Sequence, residues 1–77
     1  MVRAFILVKT SPGKATTVVE AVRGQGAVEE AHVVAGEYDI IAEFDGDEMY
    51  DVLETASSRI QGIDGVVDTR TYVSIDE

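Results

Sequence analysis

The run Ala4-Phe5-Ile6-Leu7-Val8 is apolar on both alternations of an extended chain, and it restricts the fold more than any other feature. Successive side chains of a strand point to opposite faces. A strand that is apolar on both faces belongs in the middle of a sheet and must be covered on both sides. A chain of 77 residues has little material for that task. It makes one small domain, and such a domain buries only roughly 60% of the surface its unfolded chain exposes. The run is also far too short to span a bilayer or to form the core of a signal peptide.

The rest of the chain supplies partners in a regular order. Residues 2–9 read as the first strand. Ser11 is then expected to cap a helix with Pro12 at its first position, where a missing N–H costs nothing. Ala15, Val18, Val19 and Val22 follow at helical spacing, and Gly24 ends the pattern. The β-branched residues make this helix marginal alone, so it needs a sheet to lie on. Residues 27–35 read as a second strand, Gly36-Glu37 as a turn, and residues 38–45 as a third strand containing Ile40, Ile41, Ala42 and Phe44. Asp47 is placed to cap a second helix, along which Met49, Val52, Leu53, Ala56 and Ile60 form an apolar stripe. Residues 62–65 stop it. Residues 66–75 read as a fourth strand, with Val67, Thr69, Thr71 and Val73 alternating against Val66, Asp68, Arg70 and Tyr72.

The order is β-α-β-β-α-β, the split βαβ plan. A weak internal repeat supports it, since Gly26, Val28, Glu29 and Val34 recur 39 residues later as Gly65, Val67, Asp68 and Val73. Strands one and three are the most apolar and are expected in the centre. Strands two and four, with more charge and threonine, are expected at the edges. Both helices must lie on one side of a four-stranded antiparallel sheet. Whichever alternation of the first strand meets them, the other exposes either Phe5 and Leu7 or Ala4, Ile6 and Val8. Full burial of each such side chain is worth roughly 1.5–3 kcal/mol. The open side is therefore expected to be covered by a second subunit.

Composition removes several function classes. Fifteen acidic residues against six basic ones leave a formal charge of −9, a poor match for a nucleic-acid backbone. With no Cys there is no disulfide framework, thiolate metal site or thiol nucleophile, which also fits a reducing, cytoplasmic interior. Two Lys and no Asn beside so many acids resemble proteins from salt-loving organisms, although a small acidic protein of an ordinary cytoplasm has the same look. His32 stands alone, without a neighbouring His or Cys to complete a ligand set, so no metal site is expected. Asp45, Asp47, Glu48 and Asp51 gather at the start of the second helix, where they complement its dipole and lack a calcium-loop pattern. Gly13, Gly24 and Gly26 match no phosphate-cradling fingerprint, and no cofactor is implied.

Three segments taken together resemble a known family. Ser11-Pro12-Gly13-Lys14, the run Val33-Val34-Ala35-Gly36-Glu37-Tyr38-Asp39-Ile40-Ile41, and the run Ile63-Asp64-Gly65-Val66-Val67-Asp68-Thr69-Arg70-Thr71 look like the effector-binding domain of the Lrp/AsnC regulators. The match covers essentially the whole chain. The resemblance implies a ferredoxin-like α+β sandwich that dimerises through its sheet and assembles further, often as an octamer or decamer of four or five dimers. It implies a small amino-acid effector bound at the junction between dimers, and no catalysis. Regulators of this family carry a helix-turn-helix domain ahead of the first strand, whereas here that strand begins at Val2. Residues 1–77 are therefore expected to be the ligand-binding domain by itself, with no direct nucleic-acid contact, able to join a full-length paralogue.

The candidate ligand-binding residues are Gly36, Tyr38, Asp39, Thr69 and Thr71. Read as local structure alone, Gly36 and Asp39 make a hairpin turn, Thr69 and Thr71 are a β-favouring edge pair, and Tyr38 is a half-buried packing residue. Read with the resemblance, turn amides hold an α-carboxylate, Asp39 pairs with an α-ammonium or fixes the loop, and the threonine hydroxyls bond the ligand. Two other functions share the fold order. One is a small dimeric αβ-barrel enzyme of the monooxygenase kind. It is disfavoured by how few residues could act as acid, base or nucleophile near neutral pH. The other is a ligand-free subunit that tunes a regulator's assembly.

Overall fold

The computed structural model describes residues 2–26 and 28–76. Ala27 and the side chains of Met49, Val52, Leu53 and Ala56 lie outside the described residues, and with them most of the expected second stripe. The elements are β1 (Val2–Thr10), α1 (Ala15–Arg23), β2 (Val28–Val33), β3 (Ile40–Gly46), α2 (Met49–Glu54) and β4 (Val66–Val73). After α2 the chain winds on through Thr55–Ile60 as a π-helical segment, a wider coil than the plain helix expected there. The sheet order is β2-β3-β1-β4, with every neighbouring pair antiparallel. This is the ferredoxin-like α+β plan, and the two most apolar strands are the central ones. Among the described residues no helix is long and apolar enough to cross a membrane.

Packing decides which alternation of β1 turns inward. Ala4, Ile6 and Val8 are fully buried, and Ile40, Ala42 and Phe44 of β3 join them beneath Val18, Val19 and Val22 of α1 and Ile60. The register carries the same face onto β4, where Thr69, Thr71 and Val73 pair with Val8, Ile6 and Ala4. The opposite face holds Phe5 and Leu7, half-buried, with Ile41 opposite Leu7 on one side and Arg70 opposite it on the other. Tyr72, 59% exposed, stands opposite Phe5. Among the described residues no helix covers this apolar centre. Its border is charged: Arg3 reaches Asp45 at 3.2 Å and Glu43 at 3.4 Å.

The entry to α1 differs from the expected cap. Lys14 N–H donates to the Ser11 carbonyl at 3.0 Å and Gly13 has φ +79°, which makes Ser11–Lys14 a β-turn with Pro12 and Gly13 in the central positions that a type II turn favours. A positive φ cannot belong to a right-handed helix, so α1 starts only at Ala15. Lys14 takes the cap position without a side-chain cap hydrogen bond. The far end of α1 is tied down instead. Arg23 donates from Nε and Nη2 to the Ala31 carbonyl, at 3.0 and 2.8 Å, and so joins the helix to the edge strand β2.

Candidate functional site

The loop between β2 and β3 meets the end of β1 through Asp39. Its backbone N–H donates to the Val8 carbonyl at 2.9 Å, and its carbonyl accepts from Val34 N–H at 2.8 Å. Its Oδ2 accepts from Thr10 N–H at 2.9 Å and from Thr10 Oγ1 at 3.2 Å. Thr10 is only 9% exposed, so these bonds satisfy polar groups that water hardly reaches. Of the two roles open to Asp39 in the sequence, fixing the loop is thus occupied by Oδ2. Oδ1 has no partner among the described residues and remains an acceptor.

A polar cleft of about 440 Å³ opens beside it, bounded by Lys9 to Gly13, by Ala15 and Thr16 at the start of α1, and by Gly36, Glu37 and Asp39. Gly36 does not use the backbone freedom expected of a turn glycine. The positive-φ glycines among the described residues are Gly13 and Gly65, and a Cβ built on Gly36 meets nothing within 4 Å. What glycine provides at position 36 is an uncovered backbone at the mouth of the cleft. Alanine there is expected to leave stability unchanged or to raise it by up to about 1 kcal/mol by restricting the unfolded chain. Chemical denaturation measures this, and a loss above that size would mean that the loop needs glycine for its shape.

Tyr38 lies on the other side of the same loop and reaches over the open face of the sheet. Its hydroxyl oxygen accepts from Arg70 Nε at 2.9 Å, and Lys9 Nζ stands 5.9 Å from its ring centroid while donating to the Glu37 carbonyl at 3.3 Å. The bond to Tyr38 is the main reason that the Arg70 guanidinium pKa is raised above its already high ordinary value. With that acceptor engaged, the Tyr38 O–H is still free to donate. A second cleft, of about 340 Å³, lies here over Leu7 and Ile41, between Tyr38 and Tyr72 and against residues 34–37. Gly36 and Glu37 border both clefts.

Gly36, Tyr38 and Asp39 are therefore assembled in one place, whereas Thr69 and Thr71 are not with them. Both threonines share the helix-side face with Val8 and Ile6, Thr69 Oγ1 accepts from Gln61 Nε2 at 3.0 Å, and neither residue lines either cleft. Arg70, between them in sequence, faces the other way and hydrogen-bonds the loop through Tyr38. The strict alternation of β4 separates Arg70 from the threonines, but nothing local links it to Tyr38, 32 residues away. Thr10 was equally invisible. His32 sits on edge strand β2 with Nε2 3.0 Å from Glu30 and borders neither cleft. Asp45 pairs with Arg3. Among the described residues no group of three or more His, Asp or Glu could hold a metal ion.

Comparison with known proteins agrees with this architecture. The family model described as the Lrp/AsnC ligand binding domain matches residues 3–77. A hypothetical protein of Pyrococcus horikoshii is 36% identical, with a TM-score of 0.89 over 100% of this chain and 93% of that one. The E. coli AsnC structure, 21% identical, superposes with a TM-score of 0.89 over 99% of this chain and 52% of its own. A transcriptional regulator of Neisseria meningitidis, solved as a complex with L-Met, is 20% identical, with a TM-score of 0.85 over 99% of this chain and 51% of its own. This chain thus spans about half the length of each of those two regulators. A search of curated proteins gave no significant match.

Proposed function

We propose that this chain, which belongs to the Lrp/AsnC ligand-binding domain family, binds a small amino acid at its 36–39 loop and reports the binding through its assembly with other copies. The observation that carries the reading is the polar cleft, where an uncovered Gly36 backbone stands beside Asp39 Oδ1, which has no partner among the described residues. Backbone amides suit an α-carboxylate, and a carboxylate oxygen suits an α-ammonium. The L-Met complex of the Neisseria regulator supports an amino acid as the ligand. Thr69 and Thr71 lie off the clefts of their own chain, so in this reading they serve the site from a neighbouring copy, at a junction between dimers. The site is a binding site without catalysis, and His32 takes no part in it.

Assembly begins on the open face. Phe5, Leu7 and Ile41 form an apolar centre there with no helix over it, and a second sheet would bury it. An amino acid that binds one assembly more tightly than another then shifts the population between them. An octamer or decamer, built of four or five such dimers, is the expected end state. A full-length relative, about twice as long, is a natural partner in mixed assemblies. Through such a partner the chain would take part in transcription regulation without touching DNA itself.

Native mass spectrometry and calorimetry against the twenty amino acids test the proposal. At least one amino acid is expected to release heat on binding and to change the distribution of oligomers. A protein indifferent to all twenty refutes the sensing role. Leu7→Glu, which places a charge in the apolar centre, is expected to convert the dimer to a monomer by light scattering at micromolar concentration. A wild-type protein that is already monomeric under those conditions refutes the sheet-face dimer.

A further inference from the structure

The sheet ends in two edge strands, and their outer sides are finished differently. Antiparallel pairing turns the backbone groups of alternate residues toward the neighbouring strand and those of the residues between them outward. On β2, Val34 N–H bonds the Asp39 carbonyl, so Ala31 belongs to the outward set, and its carbonyl is taken by the Arg23 fork. The register of β2 also shifts between Val28 and Glu30. A plugged carbonyl and a bulge both keep an edge from pairing. On β4, Ser74 N–H donates to the Arg3 carbonyl at 2.9 Å, so Tyr72, Arg70 and Asp68 turn their backbones to β1. Thr69, Thr71 and Val73 turn theirs outward. Among the described residues the cover there is one exposed side chain, as Asp68 Oδ1 accepts from Thr69 N–H at 2.9 Å. We propose that β4 pairs antiparallel with β4 of a second copy about a twofold axis at Thr69, and that this seam joins one sheet-face dimer to the next.

The charges of the strand choose that register. An outward residue pairs only with an outward residue, so the registers that overlap most of β4 are centred on Asp68, Thr69 or Arg70. Centred on Asp68, the seam sets two carboxylates face to face; centred on Arg70, it sets two guanidiniums so. Centred on Thr69, it places Asp68 opposite Arg70 of the second copy, and does so twice. Opposite charges in facing positions stabilise a strand pair, and like charges weaken it. Both side chains lie on the helix-free side of the sheet, in a non-hydrogen-bonded pair whose Cα atoms come within about 4.5 Å. Arg70 uses Nε on Tyr38, and its terminal nitrogens have no partner among the described residues. Asp68 has only to release Thr69 N–H, which then donates to the Thr69 carbonyl of the second copy. On the helix side Val67, 61% exposed, comes opposite Thr71 of the second copy.

The seam lies in the plane of the sheet, beside the face that a second sheet covers, so one chain can make both contacts. Two different twofold contacts on one chain build assemblies larger than a dimer. Backbone bonds with little apolar surface make a weak contact alone, so the seam holds where dimers present several edges at once and lapses in Leu7→Glu. It rests on the sheet-face dimer of the proposed function but not on an amino acid.

Native mass spectrometry without added amino acid compares the wild type with Asp68→Lys, Arg70→Glu and the double variant. The wild type is expected to form species above the dimer. Each single variant is expected to stop at the dimer, because like charges now face each other. The double variant restores the pairs in reverse and is expected to regain the larger species. Net charge alone gives another order, since Asp68→Lys changes the formal charge by +2, from −9 to −7, and would promote assembly. That order, a double variant that stays dimeric, or a wild type confined to dimers would overturn the seam. A monomeric wild type would overturn the sheet-face dimer with it. Thr69→Cys reads the register directly, since the chain has no other Cys. Facing Cα atoms about 5.5 Å apart suit a disulfide. Mild oxidation is expected to cross-link Thr69→Cys into covalent pairs much faster than Thr17→Cys, on the exposed side of α1. Equal rates at the two positions would overturn the register.

Discussion

Gly65→Ala is expected to lower the free energy of unfolding by about 2–4 kcal/mol, more than the same change at Gly13, Gly24, Gly26, Gly36 or Gly62. Two costs act at once. Gly65 has φ +99°, a conformation in which an L side chain is strained, and a Cβ there would stand 2.9 Å from Val18 Cγ2 in the buried core. Val18 is fully buried and has nowhere to retreat, so the contact cannot be relieved by a flexible surface chain. The same residue fixes the site: its carbonyl accepts from Ser11 N–H at 2.9 Å and thereby holds the Ser11–Lys14 turn, one wall of the polar cleft, against the start of β4. Urea denaturation should show a lower midpoint with an unchanged slope. A shift as small as that expected of Gly36→Ala would mean that the corner adjusts freely.

Asp39 gives the second large effect, and two substitutions are needed to read it. Asp39→Ala removes the acceptor from Thr10 N–H and Oγ1 in a nearly buried position, and is expected to cost about 1–3 kcal/mol with no ligand present. Loss of ligand binding in that variant would therefore be ambiguous. Asp39→Asn keeps an oxygen where Thr10 needs one, and in place of the charged Oδ1 acceptor it sets an NH2 donor. It is expected to retain most of the stability while weakening amino-acid binding about tenfold or more, because a charge-assisted bond to an α-ammonium is lost. Calorimetry together with thermal denaturation separates the two roles. Unchanged affinity in Asp39→Asn would confine Asp39 to holding the loop.

The contrast among three glycines shows how far local pattern carries. Gly36 reads as a turn residue, Gly13 as part of a helix cap and Gly65 as the stop after the second helix, yet only Gly13 and Gly65 have positive φ, and of the three only Gly65 faces a clash. A glycine in a sequence announces freedom without saying whether it is used for dihedral angle, for packing or for access. The Ser11-Pro12-Gly13 segment shows the same limit. Its residues fit a helix cap and a β-turn equally well, and the choice was made by Gly13, whose positive φ delays the helix to Ala15. Of the site, Gly36, Tyr38 and Asp39 were legible because they are contiguous. Thr10 and Arg70 were not, because they join the loop only through the pairing of β1 with its neighbours.

Periodicity and punctuation, which act over a few neighbouring residues, determined the six main elements, their order, and the central places of β1 and β3. They also required that one face of a two-sided apolar strand lack a helix above it. Tertiary packing alone decided that Phe5 and Leu7, rather than Ala4, Ile6 and Val8, are on that face, and that Thr69 and Thr71 point away from the loop while Arg70 points toward Tyr38. The reason is strand register. With a side-chain period of two, a shift by one residue exchanges the faces of a whole strand, and only the fit of the two layers selects between the alternatives.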